Sequence, residues 1–240
     1  MTKFFQKTKE VVLDILFPPL CLSCKKYLPK TALQEMLCET CFNAIPLNTT
    51  FICPVCSARF SENKKICHLD TPFRLLAAGF YSSEILKNLI WMLKYEGKSV
   101  AAKPLASLIE KHLSLTELTF QEYLLIPMPL HSSRRRERGF NQTELIAQHI
   151  ASKYRFTLRT DILQKIRFTK PQMEIKDFEK RKENMKNTFS ILHEKDVAGK
   201  NILLLDDVFT SGATMYEAVR TLKSAHAHTV IGLVAAKAGQ

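Results

Sequence analysis

At 240 residues, the chain is long enough for one large domain, or for a domain of typical size together with a small module. Hydrophobic side chains make up 46% of it, which is ample for a core, and no run of 18 apolar residues occurs, so the sequence predicts no transmembrane helix. The net charge is +12, and in residues 121–190 the 15 basic side chains outnumber 8 acidic ones. Any surface for a polyanion is therefore expected in that segment.

The first predicted element is a helix over residues 3–17, within an N-terminal segment of residues 1–20. Apolar side chains recur there at helical spacing, and the pattern ends before Pro18 and Pro19. We expect the apolar stripe to pack on the rest of the protein; the alternative is that it lies on the inner face of the cytoplasmic membrane. Charged residues interrupt the segment, so no signal peptide is predicted and a cytoplasmic location is expected.

Residues 21–71 hold all seven cysteines, which in a cytosolic protein are better explained as metal ligands than as disulfides. A Cys-x-x-Cys spacing places two thiolates on one tetrahedral Zn²⁺, and two such pairs complete the site. The 13 residues between the first two pairs suit a zinc ribbon. The sequence therefore predicts a structural zinc site formed by Cys21, Cys24, Cys38 and Cys41.

A second zinc site is predicted from Cys53, Cys56 and Cys67, with a fourth ligand from His68 or Asp70. Two alternatives remain open: the second zinc is absent, or Cys53 and Cys56 take part in a single cross-paired site. The module contains few large apolar side chains, so zinc is expected to be its main source of stability.

Residues 72–240 change in composition and alternate strand-like and helical segments. A β-like run over residues 73–81 is followed by a helix that is capped by Ser82 or Ser83 and ends near residues 94–98, with Trp91 and Met92 predicted to lie in the core. Lys94 is expected to stabilise the C-terminus of this helix, or alternatively to bind an anion. A second helix is predicted from about Ser99 to Leu113.

An arginine-rich stretch follows a strand predicted over residues 123–129 and precedes a helix predicted from about Gln142 to Tyr154. We predict that this stretch is a loop at the carboxyl end of the strand, where ligands of α/β sheets bind. Guanidinium groups match phosphate oxygens, and the alternative is a solvated charged surface. The candidate phosphate ligands are Arg134, Arg135, Arg136, Arg138 and Asn141.

Residues 202–214 are the most informative part of the chain. The apolar run Ile202–Leu205 predicts a strand buried on both faces, and the adjacent carboxylates Asp206 and Asp207 follow it. A loop of small and hydroxyl residues then leads into a helix predicted from Met215 to about Ala225. A helix N-terminus binds phosphate readily, and the small residues let the backbone approach an anion. These loop residues are Thr210, Ser211, Gly212, Ala213 and Thr214.

The order Leu-Leu-Asp-Asp-Val-Phe-Thr-Ser-Gly-Ala-Thr in this stretch resembles the phosphoribosyl-pyrophosphate (PRPP) motif of type I phosphoribosyltransferases. The resemblance implies that the catalytic pair Asp206 and Asp207 holds the ribose hydroxyls and that residues 210–214 hold the 5′-phosphate. It also implies Mg²⁺ as a cofactor with PRPP, and arginines near 134–138 as ligands of the pyrophosphate. The implied fold class is α/β, a parallel sheet flanked by helices.

Further motifs resemble the ComF (ComFC) competence-protein family over nearly the whole chain. They are the cysteine module, the segments 93–97 (Leu-Lys-Tyr-Glu-Gly) and 127–131 (Pro-Met-Pro-Leu-His), the segment 136–142 (Arg-Glu-Arg-Gly-Phe-Asn-Gln), Lys170-Pro-Gln172 and the segment 181–184 (Arg-Lys-Glu-Asn). The resemblance implies an N-terminal zinc ribbon in residues 21–71 joined to a phosphoribosyltransferase-like domain in residues 72–240. The chain departs from the family pattern at Asp70, where a fourth cysteine pair would end.

Two functions follow from these resemblances. The first is an accessory protein of natural transformation that binds single-stranded DNA during DNA uptake, with a DNA helicase and a recombination mediator as possible partners. The second is an active PRPP-dependent phosphoribosyltransferase whose acceptor is unknown. The two are compatible, because a PRPP-type site can bind a phosphoribosyl group without transferring it.

Overall fold

The computed structural model describes residues 18–29, 36–61, 67–68, 71–116, 120, 122–169 and 178–239. The helix predicted for residues 3–17, the segment Lys170-Pro-Gln172 and the candidate zinc ligand Asp70 lie outside these residues. Within the described part of the chain, every helix is too short or too polar to cross a membrane.

Most of the described strands form one seven-stranded sheet with the order β2-β1-β3-β9-β8-β4-β5. The five strands from β3 to β5 in that order are parallel, whereas β1 is antiparallel to both of its neighbours. A separate antiparallel pair is formed by β6 and β7. The strands are β1 (Phe51–Ile52), β2 (Arg59–Phe60), β3 (Arg74–Phe80), β4 (Tyr123–Pro127), β5 (Thr157–Leu158), β6 (Leu163–Lys165), β7 (Phe189–Ile191), β8 (Asn201–Phe209) and β9 (Thr229–Lys237).

Helices cover both faces of this sheet, which is the α/β architecture that the sequence predicts. On one face, α2, α3 and α5 contribute buried apolar residues to a core that also includes part of the cysteine module. On the other face, α7 packs with the β6–β7 pair in a second core. The helices are α1 (Glu39–Asn43), α2 (Glu84–Tyr95), α3 (Ala102–Ser114), α4 (Ser132–Arg138), α5 (Gln142–Tyr154), α6 (Phe178–Met185) and α7 (Ala213–Ser224).

The central strand β8 is longer than predicted. Its residues Ile202–Leu205 are fully buried, as expected for a strand with helices on both faces. Pairing with β9 continues to the register Phe209↔Lys237, so Asp206 and Asp207 belong to the strand and do not follow it. Because successive side chains of a strand point to opposite faces, the two carboxylates are directed to different sides of the sheet.

Helix α2 confirms the prediction of a helix over this segment, with one correction. The Ser83 hydroxyl accepts a hydrogen bond from the Leu86 N–H (3.5 Å) and caps the helix, and Met92 is buried as predicted. Trp91, predicted to lie in the core, is 50% exposed. It lies beside the buried stripe of α2 rather than on it, which is why its side chain reaches solvent.

The arginine-rich stretch is a helix, α4, and the prediction of a loop there is wrong. The His131 ring accepts a hydrogen bond from the Ser133 N–H (3.3 Å) at the start, and Gly139 ends the helix with a φ of 80°. Arginine is a good helix former, so a cap at each end is sufficient for these seven residues to form a helix.

The cysteine module is joined to the sheet through its backbone. Strand β1 pairs with Leu75 and Leu76 of β3, and Leu47 forms a bridge with Gly79. The Asn48 N–H donates to the carbonyl of Ala78 (3.0 Å). Residues 47–52 therefore lie along the edge of β3 that β9 does not cover.

Candidate functional site

The acidic pair lies near the carboxyl end of β8, next to a partly buried ammonium group. Lys94 of α2 donates from Nζ to Oδ1 of Asp207 at 2.7 Å, and the two side chains are 23% and 8% exposed. Oδ1 of Asp206 accepts a hydrogen bond from the backbone N–H of Asp207 (2.9 Å). Lys94, predicted to stabilise the helix C-terminus or to bind an anion, thus has the carboxylate of Asp207 as its direct partner.

Burial and like charge shift the protonation of this pair. Burial, together with the negative charge of Asp207, raises the pKa of Asp206 to about 7, although Lys94 and Lys165 act in the opposite direction. Burial alone would lower the pKa of Lys94, but the charge and hydrogen bond of Asp207 outweigh it and the pKa is raised. The site therefore holds a carboxyl group that changes charge near neutral pH beside a firmly protonated lysine.

Further basic groups surround the carboxylates. Burial lowers the pKa of Lys165, on β6, to about 8, and the nearby charge of Arg134 contributes. Burial also lowers the pKa of Arg138, which the charge of Asp207 partly restores. Arg138 from α4 and Lys165 from β6 thus bring positive charge to the carboxylates, and Arg134 lies close to both of these basic groups. Lys165 belongs to no recognisable motif in the sequence, and only the fold brings it close to Asp206.

The loop after β8 leads into α7, which begins at Ala213, two residues earlier than predicted. Gly212 caps the helix with a φ of 79°, and a Cβ atom at this position would lie 2.5 Å from Cζ of Phe209. Only glycine fits both conditions. The first N–H groups of a helix have no partner within it and attract anions, so this loop has the geometry of a phosphate site.

A cavity of about 760 Å³ adjoins this loop. The loop side contributes Phe209, Thr210, Ser211 and Ala213, whereas neither Asp206 nor Asp207 is among the lining residues. The cysteine module contributes the opposite wall, formed by Pro54, Val55, Ser57, His68 and Thr71. The phosphate-type loop and the second cysteine cluster therefore share one cavity.

The five candidate phosphate ligands after β4 have different surroundings. Arg134 and Arg138 are partly buried, Arg138 lies near the Asp207 carboxylate, and Arg136 is exposed. Arg135 forms an ion pair with Glu144 of α5 (3.0 Å).

Asn141 is buried, and its polar atoms serve the fold. It donates to the carbonyl of Met128 (3.1 Å) and accepts from the Thr143 N–H (3.2 Å) at the start of α5. Its side chain is a helix cap and is not presented to a phosphate, in contrast to the expectation.

The first cysteine cluster has the geometry of a zinc site. The ligand atoms of Cys21, Cys24, Cys38 and Cys41 all lie within 4.8 Å of one another. A tetrahedral site with Zn–S bonds of about 2.3 Å places its sulfurs roughly 3.8 Å apart, and the sulfurs of Cys24 and Cys38 are 3.7 Å apart. The pKa of the Cys21 thiol is lowered to about 6, because hydrogen bonds from backbone N–H groups outweigh the effect of burial. Four thiols in this arrangement fit Zn²⁺.

The second cluster is separate and includes His68. The ligand atoms of Cys53, Cys56, Cys67 and His68 also lie within 4.8 Å of one another. Nδ1 of His68 is 3.5 Å from the Cys53 sulfur and 3.3 Å from the Cys67 sulfur, as expected for neighbouring ligands on zinc. The arrangement favours His68 as the fourth ligand, and it places Cys53 and Cys56 apart from the first cluster.

Comparison with known proteins identifies two domains in the chain. Residues 12–69 match the double zinc ribbon domain family, and residues 143–240 match the phosphoribosyl transferase domain family. The zinc ribbon supports zinc as a structural component of this protein.

Several relatives have similar sequences. The DNA utilization protein YhgH of Salmonella typhimurium is 28% identical over 221 residues, which cover 89% of this chain and 94% of the relative. Competence protein F of Haemophilus influenzae is 29% identical over 156 residues, 62% of this chain and 66% of the relative. Competence protein ComFC of Bacillus subtilis is 25% identical over 204 residues, 79% of this chain and 78% of the relative. The two matches and these relatives agree: the chain joins a double zinc ribbon to a phosphoribosyl transferase domain, and over most of its length it is similar to proteins named for DNA utilization and competence.

Proposed function

We propose that this protein acts in the cytoplasm as an accessory protein of natural transformation, and that it binds single-stranded DNA and a phosphoribosyl-phosphate ligand. The observation that carries the proposal is the position of Asp206 and Asp207 on β8, with Lys94 and Arg138 beside them and the Gly212 loop next along the chain. Relatives named for DNA utilization and competence support the biological role.

Each part of the site has a role in binding the ligand. Hydroxyls and N–H groups of residues 210–214 hold the 5′-phosphate at the N-terminus of α7. Asp206 and Asp207 accept hydrogen bonds from the ribose hydroxyls, and Arg138 and Lys94 attract the negative charge of the pyrophosphate. Carboxylates and phosphate oxygens are the ligands that Mg²⁺ prefers, and Mg²⁺ bound with PRPP would neutralise pyrophosphate charge.

Calorimetric titration with PRPP and Mg²⁺ tests this site. We expect binding to the wild type and its loss in the double variant Asp206→Asn/Asp207→Asn, because neutral amides no longer favour both the diol and the cation. Equal heats for both proteins would contradict the proposed ligand site. Inorganic phosphate alone, titrated in the same way, separates binding at the loop from recognition of the ribose.

Single-stranded DNA is expected to bind at the arginines of α4, where phosphates replace bound counterions and affinity falls steeply with salt. The chain offers a matched pair of variants that each remove two positive charges from α4. Arg134→Ala/Arg138→Ala removes the partly buried side chains, of which Arg138 lies near Asp207, and Arg135→Ala/Arg136→Ala removes the exposed ones. We expect the first pair to weaken binding more in a fluorescence anisotropy titration. Unchanged affinity in both double variants would contradict a DNA site on α4.

A second candidate function is the transfer of the phosphoribosyl group of PRPP to an acceptor, with release of pyrophosphate. It is supported by the raised pKa of Asp206, about 7, because a carboxyl group that titrates near neutral pH can exchange a proton with an acceptor. Pyrophosphate release in the presence of candidate acceptors tests it. A DNA helicase or recombination mediator as a partner of the zinc ribbon, and an association of residues 1–20 with the inner face of the membrane, stay predictions.

A further inference from the structure

Three large aromatic side chains near α4 are unusually exposed. Trp91 and Tyr95 on α2 are 50% and 55% exposed, and Phe168 after β6 is 52% exposed. Their rings are not scattered, since the centroids of Trp91 and Tyr95 are 6.1 Å apart. Exposed aromatic rings that cluster on one surface point to a binding role, whereas single exposed rings are ordinary.

These rings are connected through the two partly buried arginines of α4. The guanidinium carbon of Arg138 lies 5.7 Å from the Tyr95 ring centroid, and that of Arg134 lies 5.6 Å from the Phe168 ring centroid. Residues four apart share one face of a helix, so Arg134 and Arg138 are neighbours on α4. The result is a continuous row of Trp91, Tyr95, Arg138, Arg134 and Phe168, which we name the aromatic–arginine row.

The row passes directly beside the carboxylate site. Lys94, which binds Asp207, precedes Tyr95 in α2, and Arg138 is within electrostatic reach of the same carboxylate. A ligand that follows the row therefore lies next to the proposed phosphoribosyl site. It meets cations in the middle of the row and flat apolar surfaces at both ends.

We propose that the aromatic–arginine row stacks the unpaired bases of single-stranded DNA while its arginines hold the phosphates between them. Single-stranded nucleic acid carries negative charge and exposed π-faces at a regular spacing, which is the chemistry that this row complements. A duplex keeps its base faces inside the stack and offers nothing to the rings. The inference rests on the DNA-binding function proposed above, and it adds that bases, not only phosphates, are bound.

The protein contains a single tryptophan, so Trp91 is an internal probe of the row. Titration of the zinc-loaded, full-length protein at low salt would compare an oligothymidylate with an abasic oligonucleotide of the same length and phosphate content. We expect the oligothymidylate to quench the Trp91 fluorescence and to bind more tightly, by roughly 5- to 150-fold for each stacked base. The abasic strand should bind by charge alone and leave the fluorescence unchanged.

The two proposals fail in different ways in this titration. If both oligonucleotides bind with equal affinity and neither changes the fluorescence, base stacking is overturned while DNA binding through phosphates stands. If neither oligonucleotide binds, DNA binding itself is overturned, and stacking with it.

Salt dependence separates stacking from charge. Tyr95→Leu should lower the affinity for the oligothymidylate by roughly 5-fold or more and leave the slope of log affinity against log salt unchanged, because no charge is lost. Arg138→Ala should reduce that slope by about 1. Tyr27→Leu is the matched control, since Tyr27 is 56% exposed but lies in the cysteine module. An equal loss in Tyr27→Leu and Tyr95→Leu would overturn the assignment of the row.

Discussion

Asp206 and Asp207 show how one backbone feature produces an unusual electrostatic site. Because both residues lie within β8, alternation directs Asp207 to Lys94 on α2, and Asp206 is left without an ion pair of its own, with the nearby charges of Lys94 and Lys165 compensating it only in part. Asp207 therefore has a direct ionic partner, whereas Asp206 can take up a proton near neutral pH. This difference gives the two neighbouring residues separate roles.

Asp206 should make stability depend on pH. Its pKa is about 7 in the folded protein, against 3.8 for a free aspartate carboxyl group. Between those values the folded state holds the extra proton, so the free energy of unfolding falls as pH rises from about 4 to 7, by up to about 1.4 kcal/mol per pH unit. Asp206→Asn should remove this part of the pH dependence, as measured by urea unfolding across the range. Parallel curves for wild type and variant would contradict the assignment.

Lys94 should be needed for stability as well as for ligand binding. Lys94→Met leaves Asp207 buried without its ionic partner, which costs about 3 kcal/mol for a pair of this burial. Lys98, near the end of the same helix, is the control, because its side chain is 50% exposed and pairs with Glu96. Lys98→Met should change the free energy of unfolding by less than about 1 kcal/mol. Equal losses would indicate that the Lys94–Asp207 pair contributes little.

At the scale of elements, β8, its loop and α7 form the unit that positions the site, and Gly212 is its turning point. A left-handed backbone conformation is strained for any residue with a side chain. Gly212 and Gly139 have nearly the same φ, 79° and 80°, but only a Cβ at Gly212 meets other atoms, at 2.5 Å from Phe209. Alanine substitutions at the two positions therefore separate the cost of backbone strain, which both share, from the cost of steric overlap, which only Gly212 has.

Gly139→Ala should cost about 1 kcal/mol of unfolding free energy, and Gly212→Ala should cost about 2–4 kcal/mol, because overlap with Phe209 adds to the strain. Binding of PRPP should be lost only in Gly212→Ala. Thermal unfolding and calorimetric titration on both variants provide the check. If both alanines were tolerated equally, the loop would have to rearrange more freely than its packing suggests.

Much at this scale was predictable from the sequence. The apolar run before Asp206 and the stripe of α2 place their elements correctly, because burial alone determines their pattern. The helix α4 was missed because its caps, His131 and Gly139, are weak local signals beside four arginines. Lys165 and the exposed Trp91 could not be assigned, since each depends on contacts between elements far apart in the chain.

At the scale of the whole molecule, the zinc ribbon is continuous with the larger domain. Apolar residues of the module, among them Leu28, Leu37 and Phe51, lie in the same core as α2 and α3. Lys111 of α3 also donates to the Asn43 side chain (2.8 Å). The cysteine spacing predicts the metal, but no local pattern predicts that the module adds two strands to the sheet.

The number of zinc ions bound per chain distinguishes His68 from Asp70 as the fourth ligand of the second cluster. We expect about two zinc ions per chain by elemental analysis of the purified protein, because two separate sets of four ligands are assembled. His68→Ala should reduce the value to about one, whereas Asp70→Ala should leave it near two. A ratio near one for the wild type, or a loss only in Asp70→Ala, would contradict this assignment.

Residues 47–52 cover one edge of β3, and this cover should limit association between copies of the protein. An unpaired edge of a long, apolar strand is a template for pairing with other chains, and proteins protect such edges. The outermost strand at this edge of the sheet is β2, which is only two residues long and carries the exposed Arg59. Because zinc stabilises this cover, chelation should uncover β3 and lead to aggregation through new strand pairing. The ribbon would then keep the protein monodisperse, independently of any ligand that it binds.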